Sequence, residues 1–543
     1  MSELTFSSLY NNNKLIQQLT LWIREKSPLS DRGNKVAGVA GVVLALFVLR
    51  NIWKKRASSD KPIPFIGIPS PKGKRPVVGH LLAIGSDRVQ RFHEWHQDFG
   101  PIFHIKLGVN DTLVVSDPYI THELLVTHGK FTSNRPDGLF MHDFGSGGVR
   151  GIVSAQSHEL NWRTVRRIVD NALDPRIIKE EFSPLLHKEA DEYADLVSTG
   201  ENIDPLPYLM RVSLNFILLT TFGVRSTSID DPLYKKAIYC ITKNMSFSDF
   251  KHVGGMFIPA LKILDPLLGV KREASEHMEK HCIPFYLELV EKALEDDSGY
   301  NLAKELNNEL NGGKKTGPHN IILPTINDVV VAGTDTTAVT IAWGFLQIST
   351  QPEVQKKIQQ EIDAFVNKNG RIPYFWERDQ VPYMIATQRE CFRLRPTTEF
   401  GVSHAASQDF EWNGVYIPKD TWIMPNNIEA HLDPAKYPEP EKFRPERFLD
   451  TYKTMSASSN GGVQERDHFN FGWGRRVCVG AHLAEVQMFN IWVRILHRCD
   501  IVPALDKNGN EIPESLKTVP PLSGPIVASP SPFQIRFVPR NKE

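Results

Sequence analysis

The sequence predicts one large, mainly helical unit with small β-sheets, preceded by a single N-terminal transmembrane helix. Three observations carry this. Most of the chain reads as apolar-periodic segments of helical length separated by Gly and Pro breaks, with one clear hairpin. The composition, 41% hydrophobic and 23% charged, is that of a globular protein and excludes wholesale disorder. One apolar run near the N-terminus stands outside the pattern.

That run is Val36 to Leu49, unbroken apolar residues and glycine. It is shorter than the ~20 residues that cross a bilayer, but Arg50 can snorkel, and Ile52 and Trp53 extend it towards an interface. Polar, turn-rich sequence on both sides disfavours a core helix. The long polar stretch ahead of it disfavours a signal peptide. The organisation read from this is a tail (1–35), an anchor (36–53), a basic, Pro-rich linker (54–76) and one body (77–543). Arg24, Lys26, Arg32 and Lys35 on one side balance Arg50, Lys54, Lys55, Arg56 and Lys61 on the other, so charge does not set orientation. Leu15, Ile16, Leu19, Trp22 and Ile23 share one helical face, either lying in the membrane interface or without a membrane role. Closely spaced prolines from Pro62 to Pro76 suggest a stiff spacer.

Within the body, Ile102 to Val115 reads as two strands joined near Asn110-Asp111. Helices are expected at 163–172, about 284–296, about 326–350 and 353–367, the last with Pro352 at its start, where a missing donor is harmless. Basic and acidic residues number 63 each, so there is no cationic surplus for nucleic acid. Five dispersed cysteines without C-x-x-C argue against zinc ribbons, thioredoxin chemistry and covalent c-type haem, and suit reduced thiols facing the cytosol. There is no P-loop, and Gly145 to Arg150 fails the dinucleotide fingerprint at its last position. His93 and His96 read as an exposed helix face rather than a metal site.

The chemistry concentrates in Phe471-Gly-Trp-Gly-Arg-Arg-Val-Cys-Val-Gly480. Cys478 follows a Gly-rich loop and precedes a helical pattern. Its sulfur therefore faces free backbone N–H groups and the positive end of a helix, which favour thiolate, the metal-binding form. Gly474 and Gly480 suit close approach of backbone to a flat cofactor. Here the sequence resembles the cytochrome P-450 family: Phe471, Gly474, Arg476, Cys478 and Gly480 match its signature F-x-x-G-x-R-x-C-x-G at every position. The resemblance implies haem b with its iron ligated by Cys478, and Arg476 pairing with a propionate.

Four further motifs follow the family's order. Trp162 and Arg166 match W-x-x-x-R, which implies propionate contacts. Ala332-Gly-Thr-Asp-Thr-Thr337 matches A-G-x-D-T-T, which implies that Asp335 and Thr336 relay protons in the distal helix, with Gly333 leaving room above the cofactor. Read alone, such a threonine back-bonds to its own helix. Glu390 and Arg393 match E-x-x-R, and Arg447 lies in F-x-P-E-R-F; the resemblance implies one buried network. His404 falls where a propionate-contacting Arg or His is usual, although Ser403 replaces the common Pro. By family position, Phe140, Phe144, Val329, Val330, Ala332, Glu399, Val402, Ile526 and Val527 line the substrate pocket. Glu399 departs from the usual apolar residue and either points to water or meets a polar substrate group. The tail is longer than in microsomal members, and the motif style resembles fungal ones.

The resemblance implies a single cytochrome P-450 fold and a haem-thiolate monooxygenase. Such an enzyme hydroxylates an apolar small molecule (steroid, terpenoid, fatty acid or xenobiotic) using dioxygen. Electrons come from a separate NADPH–cytochrome P-450 reductase, with cytochrome b5 as a second donor. The expected site is the endoplasmic reticulum membrane, with the body in the cytosol. Two rivals stand beside it. One is a peroxide-using, isomerase or dehydratase member of the family, against which the Asp335-Thr336 pair argues. The other is a non-enzymatic haem sensor, which needs neither a relay nor an apolar pocket.

Overall fold

The computed structural model describes residues 62–138, 149–296, 299–313, 320–522 and 526–540. The expected anchor, and the pocket positions Phe140 and Phe144, lie outside the described residues.

Ile102–Leu107 (β1) and Asn110–Val115 (β2) pair as an antiparallel hairpin whose middle and far residues are buried on both faces. The turn is Gly108-Val109, earlier than the expected Asn110-Asp111. Gly108 takes a left-handed φ of +61° and lies against the Phe257 carbonyl, where a side chain would collide. Asp111 instead closes on Lys106 and His104, each at 3.0 Å. Later strands complete the sheets: His404–Ala405 (β3), Phe410–Trp412 (β4), Val415–Ile417 (β5), Trp422–Pro425 (β6), Cys499–Leu505 (β7), Glu511–Ile512 (β8) and Ile535–Pro539 (β9). They form a four-stranded sheet ordered β1-β2-β6-β3, a β4-β5 pair and a β8-β7-β9 sheet.

Helices make up the rest. Arg88–Phe99 (α1) is capped by Asp87, whose side chain accepts from the Gln90 amide, and stops at Gly100. Its His93 is not free: Nδ1 lies 2.9 Å from Oε1 of the buried Glu429. Leu160–Ala172 (α2), Ser183–Val197 (α3), Leu206–Phe222 (α4), Ile322–Ser349 (α5), Pro352–Asn369 (α6), Pro382–Leu394 (α7) and Ala481–Arg498 (α8) follow. Pro352 opens α6, and left-handed Gly370 closes it.

The central element is α5, 28 residues long. It alone among the described residues is long and apolar enough to cross a membrane, yet 72% of its most apolar window is buried inside the body. It is a core helix. Two glycines admit its neighbours: a Cβ on Gly333 would strike Ile217 of α4, and one on Gly344 would stand 2.6 Å from Trp492 of α8. Gly333 therefore serves helix packing, and it also borders the central cavity.

The presumed spacer packs on the body. Phe65 stacks on His104 at 4.3 Å, its amide donates to the Tyr416 carbonyl, and His104 N donates to the Pro69 carbonyl at 2.8 Å.

Glu390 and Arg393 of α7 are fully buried. Arg393 Nε and Nη2 donate to the two Glu390 carboxylate oxygens at 2.7 and 2.8 Å, and Arg447 Nε stands 3.1 Å from Oε2. The Arg444 amide donates to Oε1 at 2.8 Å. Removing one partner strands charge in a dry interior. Glu390→Ala is expected to cost about 3–5 kcal/mol, measured by chemical denaturation; a loss below 1 kcal/mol would show that the charges reach solvent.

Candidate active site

A cavity of about 320 Å³ opens at the centre of the body, between α5, the start of α8, the loop ahead of it, and the segments at 397–402 and 526–527. Cys478 lies on its wall. The Cys478 amide donates to the Phe471 carbonyl at 2.8 Å, which closes the loop, and Gly480 caps α8. The sulfur's accessible surface faces the cavity. The Gly480 amide and Arg166 pull the thiol pKa down, but burial outweighs both and pushes it up.

Positive charge gathers on the same wall. Arg135, Arg166, Arg476 and His404 all line the cavity. Arg476 Nε donates to the Ser133 carbonyl at 2.8 Å, and its Nη atoms to Ile152 and Ala155 carbonyls. Arg135 Nη1 donates to Val402 and Ser403 carbonyls at 2.6 and 3.0 Å. Arg166 Nη2 donates to the Val477 carbonyl at 2.5 Å, with Asp170 3.8 Å from its Nε. Burial and mutual repulsion lower Arg135 to about 9 and Arg476 to about 8. His404 donates Nδ1–H to the Thr132 carbonyl at 2.9 Å; burial and the Arg135 charge hold the ring neutral.

These features fit the implied cofactor. Among the described residues no three His, Cys, Asp or Glu side chains could hold a metal ion, so iron at Cys478 needs its remaining ligands from a bound macrocycle. The surplus of guanidinium charge suits a group carrying two carboxylates.

The opposite wall is α5. Asp335 lies deep, with its open side on the cavity, and burial lifts its carboxyl to about 6. Thr336 Oγ1 donates to the Ala332 carbonyl at 2.6 Å. Val329, Ala332, Val402, Ile526 and Val527 line the same space, as do Phe471 and Gly480.

Four expected positions lie elsewhere. Val330 is fully buried in the core, because one residue along a helix turns the side chain about 100° away; Val331 lines the cavity instead. Glu399 meets neither water nor cavity: Arg88 Nη2 donates to its Oε2 at 3.1 Å, tying α1 to the segment after α7. Trp162 does not reach the cavity; its indole N–H donates to the Ile152 carbonyl at 3.1 Å, and Arg476 lies over its ring at 4.2 Å. Gly474 is also outside the lining. It takes a φ of +54°, and a Cβ there would stand 2.5 Å from the Leu125 carbonyl oxygen. Sequence reasoning missed Arg135, Thr340, Thr397 and Asn470, all on the wall; no spacing singles them out.

Comparison with known proteins agrees with this geometry. The family model for cytochrome P450 matches residues 69–527. The chain is similar to cytochrome P450 monooxygenase 231 of Postia placenta, 26% identical over 94% of each chain. It is also similar to cytochrome P450 monooxygenase fogE of Aspergillus ruber, 28% identical over 93% of this chain and 92% of that one. A solved zebra fish cytochrome P450 with abiraterone superposes with a TM-score of 0.65 at 23% identity, covering 84% of this chain and 100% of that one.

The Gly474 geometry is directly testable. Gly474→Ala should lower stability by about 1–3 kcal/mol through left-handed strain and the clash with Leu125. An unchanged melting temperature would show that the loop relaxes.

Proposed function

Because the chain belongs to the cytochrome P450 family, a family of oxygen-incorporating enzymes that hold haem iron through cysteine, we propose that Cys478 is that ligand and that Asp335 and Thr336 deliver protons across the same cavity. The carrying observation is that the sulfur and the carboxyl open on one buried space. When bound, the haem supplies the redox iron and the oxidising power for C–H attack.

The chain's residues divide the remaining work. Arg135, Arg166 and Arg476 hold the haem carboxylates. Since the Thr132 carbonyl can only accept, the His404 proton sits on Nδ1, and Nε2 is bare while the ring is neutral. A carboxylate beside it would draw a second proton onto the ring. Asp335 has no hydrogen-bond partner among the described residues and a pKa of about 6, so it exchanges a proton near neutral pH, as a general acid must. The single hydroxyl proton of Thr336 is committed to Ala332, which leaves its oxygen as an acceptor. Thr336 therefore orients a water or a reacting group while Asp335 donates.

Val329, Ala332, Val402, Ile526 and Val527 exclude water and favour an apolar substrate, of the steroid, terpenoid, fatty-acid or xenobiotic kind. Electrons come from an NADPH-dependent reductase, with cytochrome b5 as a second donor, docking near the exposed Arg475 close to Cys478. The stretch 36–53 anchors the body to the endoplasmic reticulum through the 54–76 linker, whose Phe65–Pro69 part packs on the body.

Cys478→Ser should abolish the thiolate-type carbon monoxide spectrum of the reduced protein; an unchanged spectrum would refute the ligand assignment. Asp335→Asn should slow reductase-supported turnover at least ~100-fold and remove a pH dependence centred near 6. It should also stabilise the fold at neutral pH. The folded-state pKa of Asp335 lies above its ordinary 3.8, so its contribution is complete below about 4 and is lost as pH rises through about 6. Asparagine abolishes that loss, a gain of up to about 3 kcal/mol. Equal denaturation midpoints for variant and parent at pH 7 would contradict this.

A further inference from the structure

Three threonines form a chain along the cavity wall. Thr336 Oγ1 donates to the Ala332 carbonyl at 2.6 Å. Thr340 Oγ1 donates to the Thr336 carbonyl at 2.7 Å. Thr340 Oγ1 also lies 2.6 Å from Thr397 Oγ1. A hydroxyl has one proton. With the Thr340 proton committed to Thr336, the bond between the two hydroxyls must be donated by Thr397. The direction is therefore fixed: Thr397 to Thr340 to the Thr336 carbonyl.

Thr397 is held from two more sides. Its amide donates to Asn470 Oδ1 at 3.2 Å, immediately ahead of the cysteine loop. Its carbonyl accepts from the Ala528 amide at 2.9 Å, and the Ala528 carbonyl in turn accepts from Trp343 Nε1 of α5 at 2.7 Å. Ala528 directly follows Ile526 and Val527, the apolar lining. Both Thr340 and Thr397 are buried, where a hydroxyl without a partner is costly, and valine would fill the same volume. Four walls of the cavity thus meet at one residue, α5 through the Thr397 hydroxyl and the approach to the cysteine loop and the C-terminal lining through its main-chain amide and carbonyl.

We propose that Thr397 is a positioning residue that couples the substrate-facing Ile526-Val527 wall to Thr336, so that a substrate pressing on that wall fixes the attitude of the relay. This rests on the relay assigned above. Pressure on Ile526 and Val527 reaches Thr397 through the Ala528 amide. It then passes through two hydroxyls to the Thr336 peptide. The backbone that carries the Thr336 oxygen is set by this clamp rather than by the helix alone.

The test uses the haem-loaded full chain with four variants: Thr397→Val, Thr397→Ser, Thr340→Val and Thr336→Ala. Amide hydrogen exchange is read with no substrate. Thr397→Val and Thr340→Val, which cut the same bond from opposite sides, should each raise exchange about fivefold at both 337–340 and 526–528, the factor for one net hydrogen bond. Thr397→Ser should behave as the parent. Exchange that rises uniformly over the chain, or not at all, overturns the proposal. Hydrogen peroxide released per NADPH is then measured with reductase and dodecanoic acid as the probe. Both valine variants should raise it in the direction of Thr336→Ala, with serine restoring it. A rise in Thr336→Ala alone refutes the Thr397 clamp and spares the relay. No rise in Thr336→Ala refutes the relay, and the coupling proposal with it.

Discussion

Buried positive charge without a matching anion is the constraint on which the cavity depends. Arg135, Arg166 and Arg476 sit in a low-dielectric interior where, among the described residues, only Asp170 beside Arg166 and Glu159 near Arg476 oppose them. Such groups cannot be left loose. The chain meets the cost with carbonyl dipoles: Arg476 gathers Ser133, Ile152 and Ala155, Arg135 gathers Val402 and Ser403, and Arg166 takes Val477. These bonds join four segments far apart in sequence. The charges therefore shape the rim of the cavity while remaining incompletely satisfied, and an anionic ligand completes them.

The charges beneath α7 are arranged on the opposite principle. Glu390 receives Arg393, Arg447 and the Arg444 amide, and Asp467 receives Arg389 at 2.5 Å and Ser458 at 2.7 Å. Arg389 also reaches the Thr451 and Lys453 carbonyls. Here each ion finds its counter-ion within the chain, and nothing is left for a ligand. A closed network makes a rigid floor, whereas the open one makes a site. The two differ in whether the carboxylates are supplied by the protein.

Much of this was legible in the sequence, and what was hidden has a common cause. The hairpin, the helix that Pro352 opens and the apolar length of α5 are local patterns, set by neighbours within a few residues. Residue types at Cys478, Asp335 and Glu390 were equally plain. Partner identity was not. Glu399 looked available because its partner, Arg88, lies 311 positions away. Arg135 carries no periodic signal at all. Gly474 misled in another way: it is needed, but for the Leu125 carbonyl, a contact that a one-dimensional pattern cannot distinguish from room for a cofactor.

The state of the sulfur follows from the same physics. Cys478 has a helix N-terminus, the Gly480 amide and Arg166 beside it, yet burial still leaves its pKa raised. A metal bound at Cys478 would favour the thiolate, with release of the thiol proton. The loop from Phe471 to Gly480 is kept in shape by the Cys478 amide on the Phe471 carbonyl, the left-handed turns at Gly472 and Gly474, and the Arg166 guanidinium on the Val477 carbonyl. A loop fixed by its own bonds at so many points holds the Cys478 sulfur on the cavity wall, where the proposed ligand is needed.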